Sequence, residues 1–438
     1  MKESMVNLFL GRALGRALFC GALATMLASH ASATTLRVAT WNLGWHVSQA
    51  ELAPWMAQCG KSFARNAQSG VWEVVPAQTP GARVGWAIDE SRPTLEGVDL
   101  AVMPPCGVYR SPGRESIAVT PAAWAKRNEQ IAKLLRDEVR ADVIAFQEVS
   151  GVAAVREALG PAAADYEVCS FSAYKVQRLA FAWRKSLGAS VGPCQDIREL
   201  SLLHLPPKDQ VRPGLALTLQ LAGRKIRFLT VHLKSGCVSP LNRGRLDGST
   251  GPEDPCPVLQ QQVGPLEAAV EDLSKGVDHL VVLGDFNRNL GHEAARVKGA
   301  EPVRSDGGTD LARARPAGVL TRNLLMELND GRPASSRLAL VPPTCSGSPE
   351  VSAACDAAKL RLLNQDERRT LTDGAGLGCR NPIGLDHILV SEGLAKSATA
   401  TKLPLGNLGR ALPPKPPQNP EPLLAVSDHC PLVAEVDL

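Results

Sequence analysis

The chain predicts a layered α/β fold. Eight short apolar runs have strand length: Leu36 to Trp41, Val143 to Phe146, Leu179 to Trp183, Leu215 to Leu221, Ile226 to Val231, Leu280 to Leu283, Leu385 to Val390 and Leu432 to Val436. They are continuous or β-branched, as expected of strands buried between layers. Helical periodicity lies between several of them, over Ala122 to Val139, Val152 to Leu159 and Pro257 to Leu273. Strands and helices mixed through one chain imply sheets covered by helices. A third observation concerns function: six of these runs begin or end beside a short polar motif carrying a carboxylate, amide or imidazole.

Residues 1–33 read as an export signal. Lys2, Arg12 and Arg16 precede an apolar stretch from Ala17 to Ala28, and Ala31-Ser32-Ala33 offers small residues for cleavage. The stretch is shorter than the roughly 20 residues a membrane-spanning helix needs. Export to a periplasmic or extracellular compartment follows, with no stable membrane association once the signal is gone. Removing Cys20 with it leaves ten of the chain's 11 cysteines, an even number that fits disulfides in an oxidising compartment. Nearest-neighbour pairing gives Cys59 with Cys106, Cys169 with Cys194, Cys237 with Cys256, Cys345 with Cys355 and Cys379 with Cys430, although sequence alone leaves connectivity open. No C-x-x-C pair supports a zinc site.

Residues 34–438 are ample for a large core, as one decorated domain or two. Two long insertions interrupt the strand rhythm, at about 46–121, bounded inside by Cys59 and Cys106, and at about 290–382, with three cysteines and one helical stretch from Gly318 to Leu328. A proline-rich loop covers Lys402 to Pro422. The formal charge of +4 includes the signal's basic residues and falls to about +2 without them, which predicts no strong global attraction to nucleic acid. A local basic groove would draw on Arg243, Arg245, Arg288, Arg296 and Lys298.

The motifs are, in order, Thr40-Trp41-Asn42, Phe146-Gln147-Glu148, Val231-His232-Leu233-Lys234-Ser235, Gly284-Asp285-Phe286-Asn287, Leu385-Asp386-His387 and Ser427-Asp428-His429. Phosphodiester hydrolysis requires charge neutralisation, activated water and a stabilised leaving oxygen. Glu148 and Asp428, with Asn42 as a neutral oxygen donor, suit Mg²⁺ or Mn²⁺. Asp285 at a strand end can orient or deprotonate water, with Asn287 on the same side. Asp386 paired with His429 would fix the imidazole tautomer, and His232 would donate to a phosphoryl oxygen. His46 and His204 fit no motif and read as structural. Trp45, Trp55, Trp72 and Trp86 read as anchors of a disulfide-stapled loop ahead of bases to stack on.

This ordered set resembles the endonuclease/exonuclease/phosphatase superfamily. The resemblance implies a four-layer α/β sandwich with two packed mixed β-sheets and outer helices, plus long disulfide-stapled insertions that it does not cover. It implies Asn42, Glu148 and Asp428 as metal-site residues, Asp285 and Asn287 as positioning the nucleophile and phosphate, His232 as stabilising phosphoryl oxygens, and Asp386 as orienting His429. The deoxyribonuclease branch is similar through Tyr174-Lys175 and Arg212-Pro213, which implies Tyr174 and Arg212 as phosphate-backbone contacts; Lys234, read from its place at a strand end, is a substrate contact or a solvated charge. Two positions depart from that branch: Ser150 stands where an arginine enters the minor groove, and Val176 where a glutamate supports the first histidine. The expectation is a secreted metal-dependent nuclease with nucleic acid as substrate. Other expectations are a sphingomyelinase-like or phosphomonoesterase member, and a binding protein that lost the chemistry.

Overall fold

The computed structural model describes residues 35–87, 95–98, 103–108, 119–171, 176–206, 210–241, 255–296, 323–329, 333–415, 417 and 420–438. The expected signal (1–33), Tyr174, Arg243, Arg245 and Lys298 lie outside these. No described helix is long and apolar enough to cross a membrane.

Sixteen strands are described. They are β1 (Thr35–His46), β2 (Ser62–Arg65), β3 (Trp72–Val75), β4 (Arg83–Val84), β5 (Val143–Val149), β6 (Tyr166–Ser170), β7 (Arg178–Arg184), β8 (Gln195–Ile197), β9 (Gly214–Leu221), β10 (Arg224–His232), β11 (His279–Asp285), β12 (Leu338–Leu340), β13 (Pro343–Cys345), β14 (Asp386–Ser391), β15 (Thr399–Lys402) and β16 (Leu432–Asp437). One sheet runs β13-β15-β16-β1-β5-β7-β6 and a second β12-β14-β11-β10-β9-β8, while β3-β2-β4 form a small third sheet. Both large sheets are mixed: β1 is parallel to β5 and antiparallel to β16, and β10 is parallel to β11 and antiparallel to β9.

Alternation along the strands divides their side chains between two cores. Leu36, Val38, Val143, Ala145, Phe181, Leu217, Phe228, Val281, Ile388 and Ala434 fill the space between the two sheets. The opposite faces take the helices. Ala39, Trp41, Ile144, Phe146 and Ala182 of the first sheet pack against helices α2 (Pro121–Leu134), α3 (Val152–Leu159) and α7 (Pro349–Leu360). Leu229, Val231, Leu280 and Val282 of the second sheet pack against α4 (Pro255–Leu273). Helix, sheet, sheet and helix thus make the four layers that burial of both sheet faces demands. Each large aliphatic side chain moved from water into these cores contributes about 1.5–3 kcal/mol.

The described part of the first insertion has its own small core. Helix α1 (Gln49–Cys59) and the small sheet bury Leu52, Trp55, Phe63 and Trp86 together with Trp124 and Val176, and Cys59 is bonded to Cys106. The tryptophans are therefore anchors, with Trp45 and Trp72 packed partly buried against the same cluster. All five disulfides follow the nearest-neighbour pattern. Within the second insertion β12 extends one large sheet and β13 the other, and α7 and α8 (Gln365–Thr372) lie beside them in sequence. The insertion opens with α5 (Leu290–Arg296), and within the expected helix from Gly318 to Leu328 the described part is helical at α6 (Leu324–Glu327).

Candidate active site

Register across the second sheet places three motif residues in one row. His232 pairs with Asp285 across the parallel β10–β11 ladder, and Asp285 pairs with Asp386 across the antiparallel β11–β14 ladder. Gly284 makes the approach possible: its φ is +144°, and a Cβ there would stand 2.1 Å from the Val231 carbonyl oxygen. The first sheet supplies the facing residues at the same rim, Asn42 near the end of β1, Glu148 on β5, and Asp428 and His429 just before β16. Glu148 sits at a bulge between Gln147 and Val149 with φ +56°, which re-aims its side chain.

Asn42 links the two halves. Its Nδ2 donates to Glu148 Oε1 at 3.2 Å and to Asp285 Oδ2 at 3.0 Å, while its Oδ1 accepts the Gly44 N–H at 2.9 Å. The amide thus presents its nitrogen to the acids, where an oxygen was expected. The Asn287 backbone N–H donates to Asp285 Oδ1 at 2.8 Å, and its side-chain amide donates to the Leu233 carbonyl. This leaves Asp285 Oδ2 facing His232 Nε2 at 3.5 Å and His429 Nε2 at 3.7 Å. His429 Nδ1 lies 3.1 Å from both oxygens of Asp386, so the expected pair forms. On its other side Asp386 Oδ2 accepts from Lys402 Nζ at 2.6 Å, with both side chains 1% exposed.

These neighbours set the charges. Burial, then Asp386, pushes Asp285 up to about 7 against the opposing pull of His429. For Asp386 burial acts upward, but Lys402 and His429 outweigh it and hold the carboxyl well below the usual range. His429 is likewise opposed by burial, yet Asp386, Asp285 and Asp428 raise it to about 10. His232 is kept uncharged by burial, with Arg212 and His429 adding to the effect, and its buried Nδ1 has no hydrogen-bond partner among the described residues. Burial and the Asp428 charge raise Glu148.

Asp285, Asp386 and His429 bring ligand atoms within 4.8 Å of one another, a spacing that could hold a metal ion. Their negative charges are already met by Lys402 and by the histidine itself. The Glu148 and Asp428 corner fits a hard cation better, because two carboxylates repel there and its donors are oxygens.

The family model described as Endonuclease/Exonuclease/phosphatase family matches residues 108–429. The chain belongs to this family. Among solved structures, the human Nocturnin catalytic domain is 16% identical over 74% of this chain and 88% of that one, with a TM-score of 0.36. An endonuclease/exonuclease/phosphatase family protein from Bacteroides thetaiotaomicron is 14% identical over 93% of this chain and 99% of that one, with a TM-score of 0.41. ANGEL2, described as a 2′,3′-cyclic phosphatase, is 19% identical over 73% and 88%, with a TM-score of 0.41. No curated protein matches the chain.

In this family member the structure brings together Asn42, Glu148, His232, Asp285, Asn287, Asp386, Asp428 and His429. Arg212 stands beside them, its guanidinium donating to the carbonyls of His232 and Leu233 and to Gln177 Oε1. Lys234 follows His232 at the rim, half-buried, with its backbone N–H on Gln262 Oε1. Arg288 is corrected: it is 1% exposed and ion-paired with the fully buried Glu293, so it lines no groove. Three residues escaped the sequence reading. Lys402, expected as the first residue of the proline-rich loop, ends β15 instead, and Arg127 reads as one charge on the helical stretch from Ala122 to Val139. Asn381, which donates to Asp428 Oδ2 at 3.0 Å, belongs to no motif.

Proposed function

We propose that this protein is an exported, divalent-metal-dependent phosphodiesterase acting on nucleic acid. The observation that carries the reading is the meeting of Asn42, Glu148, His232, Asp285 and His429 at one rim, drawn from both sheets. Asp285, with a carboxyl near neutrality and one oxygen fixed by Asn287, suits the removal of a proton from an attacking water. His429, charged and oriented by Asp386, would stabilise negative charge developing on the phosphoryl oxygens. His232 offers a neutral imidazole to the same oxygens. Glu148 and Asp428 would hold the cation, which when bound supplies further charge neutralisation.

Export is supported by five disulfides together with the signal-like residues 1–33. N-terminal sequencing of secreted protein tests it, with Thr34 expected as the first residue. The two departures from the deoxyribonuclease branch have other work here. Ser150 Oγ donates to Glu51 Oε2 of α1 at 2.5 Å, and Val176 is packed in the core of the first insertion. That insertion therefore borders the site where a duplex-reading arginine would emerge, so single strands and RNA belong in the assay beside duplex DNA. The test is nicking of supercoiled plasmid, cleavage of single-stranded DNA and RNA, and turnover of a generic phosphodiester, each with Mg²⁺ or Mn²⁺, then with chelator, then with Asp285→Ala. Metal-dependent cleavage lost in the variant supports the proposal. Turnover of the generic ester with every nucleic acid intact moves the substrate to lipid headgroups or phosphomonoesters, and no turnover with any metal leaves a binding protein.

A further inference from the structure

We infer that Asn381, held in place by the Cys379–Cys430 disulfide, is a positioning residue of the catalytic site. The inference rests on the phosphoesterase reading above. Two short segments lie side by side: residues 379–381, and residues 428–430 leading into β16. Asn381 and His429 form a parallel bridge, and the Asn381 backbone N–H donates to the Asp428 carbonyl at 2.7 Å. The disulfide joins Cys379, two residues before Asn381, to Cys430, the residue after His429, and both cysteines are fully buried. The bond is thus a clasp across the loop that presents Asp428 and His429.

Asn381 completes the clasp with its side chain. Its Nδ2 donates to Asp428 Oδ2 at 3.0 Å. His429 is tethered independently by Asp386, by its N–H on Ser427 Oγ, and by Trp41 Nε1 on its carbonyl. Asp428 is not: among the described residues, the hydrogen bond to its carboxylate comes from Asn381. Without that donor the carboxylate is free to rotate away from Glu148 and the cation they would share. Asn381 is itself half-buried at the rim, reached through a segment that the sequence reads as insertion. Partners that orient a metal-site ligand in this way typically contribute about ten- to a hundredfold in activity or metal affinity.

The test uses the mature chain with all other disulfides intact and compares Asn381→Ala, Asn381→Asp, the pair Cys379→Ala/Cys430→Ala, and, as a distant control, Cys169→Ala/Cys194→Ala. Turnover of a generic phosphodiester with Mg²⁺ is measured beside hydrogen exchange at residues 427–430. Asn381→Ala should lower kcat about ten- to a hundredfold with KM little changed. Asn381→Asp keeps the shape but removes the donor and adds a charge against Asp428, so it should be no better than Ala. The Cys379/Cys430 pair should lose turnover and exchange faster at 427–430, and the control pair should do neither. Wild-type turnover abolished by Asp285→Ala but retained in Asn381→Asp overturns the role of Asn381 and leaves the phosphoesterase reading standing. An inactive wild type overturns that reading, and exchange at 427–430 unchanged by the Cys379/Cys430 pair then overturns the clasp as well.

Discussion

Replacing Asp285 by asparagine is expected to abolish turnover while making the metal-free protein more stable at alkaline pH. The carboxyl is 1% exposed, and burial with Asp386 nearby raises it to about 7. A carboxyl whose folded value exceeds its unfolded value binds more protons when folded, so its ionisation costs stability. That cost is absent below about pH 4, grows through the interval and is complete above about pH 7. A shift of roughly three units at about 1.4 kcal/mol each sets it near 4 kcal/mol. Against this, the asparagine amide gives up one acceptor, for the Asn287 N–H or for Asn42 Nδ2, at about 2 kcal/mol whatever the pH. The variant should therefore be less stable than wild type by about 2 kcal/mol at pH 4 and more stable by about 2 kcal/mol at pH 8. Urea unfolding in chelator at unit pH steps measures the difference. A difference that is flat with pH, or that moves the other way, refutes the claim that Asp285 carries a buried, disfavoured charge.

Three further outcomes follow from the same geometry. Arg127, 1% exposed, donates to His46 Nδ1 and to the carbonyls of Leu43, Ala425 and Val426, so Arg127→Met should destabilise the fold by about 4 kcal/mol in urea unfolding and depress activity by loosening the chain at Leu43 and at 425–426. Burial and Arg127 hold His46 neutral well below its usual value, so the unfolded chain takes the proton first and stability falls as pH drops below about 6.5. His46→Gln should remove up to about 1.4 kcal/mol per pH unit of that slope between pH 5 and 6.5, read by unfolding at each pH. Lys402→Met leaves Asp386 its bond to His429, so the protein should fold, with kcat reduced about tenfold and KM little changed in steady-state assays.

The motif strands were legible because buried strands of mixed sheets are continuous apolar runs, and each ends where the chain meets the rim. Most of the site was legible for the same reason: Asn42, Glu148, His232, Asp285, Asp386, Asp428 and His429 stand at or beside those ends. Helix α3 matched its periodicity from Val152 to Leu159. Helix α7 was missed because its buried face is Val351, Ala354, Cys355 and Ala358, small side chains with little hydropathy contrast, and α8 because Leu371 is its one buried residue. Strands β12 and β13 span three residues each, too short for a period. Asn381, Lys402 and Arg127 act through partners distant in sequence, which no local pattern records. Deleting 290–382 would strip an edge strand from each large sheet.

The pairing of β1 with β16 has a consequence for when the protein becomes competent. Thr35 Oγ1 donates to Asp437 across 402 residues, and β16 lies between β15 and β1. Closing so long a loop is slow relative to local helix and hairpin formation. Until it closes, the first sheet is split and the rim holds Glu148 and Asp285 without Asp428 or His429. A nascent chain, or one clipped ahead of residue 427, lacks Asp428, His429 and the strand that joins β15 to β1. Turnover would therefore begin late in folding, and its onset would report docking of the C-terminal strand more directly than any gain of secondary structure.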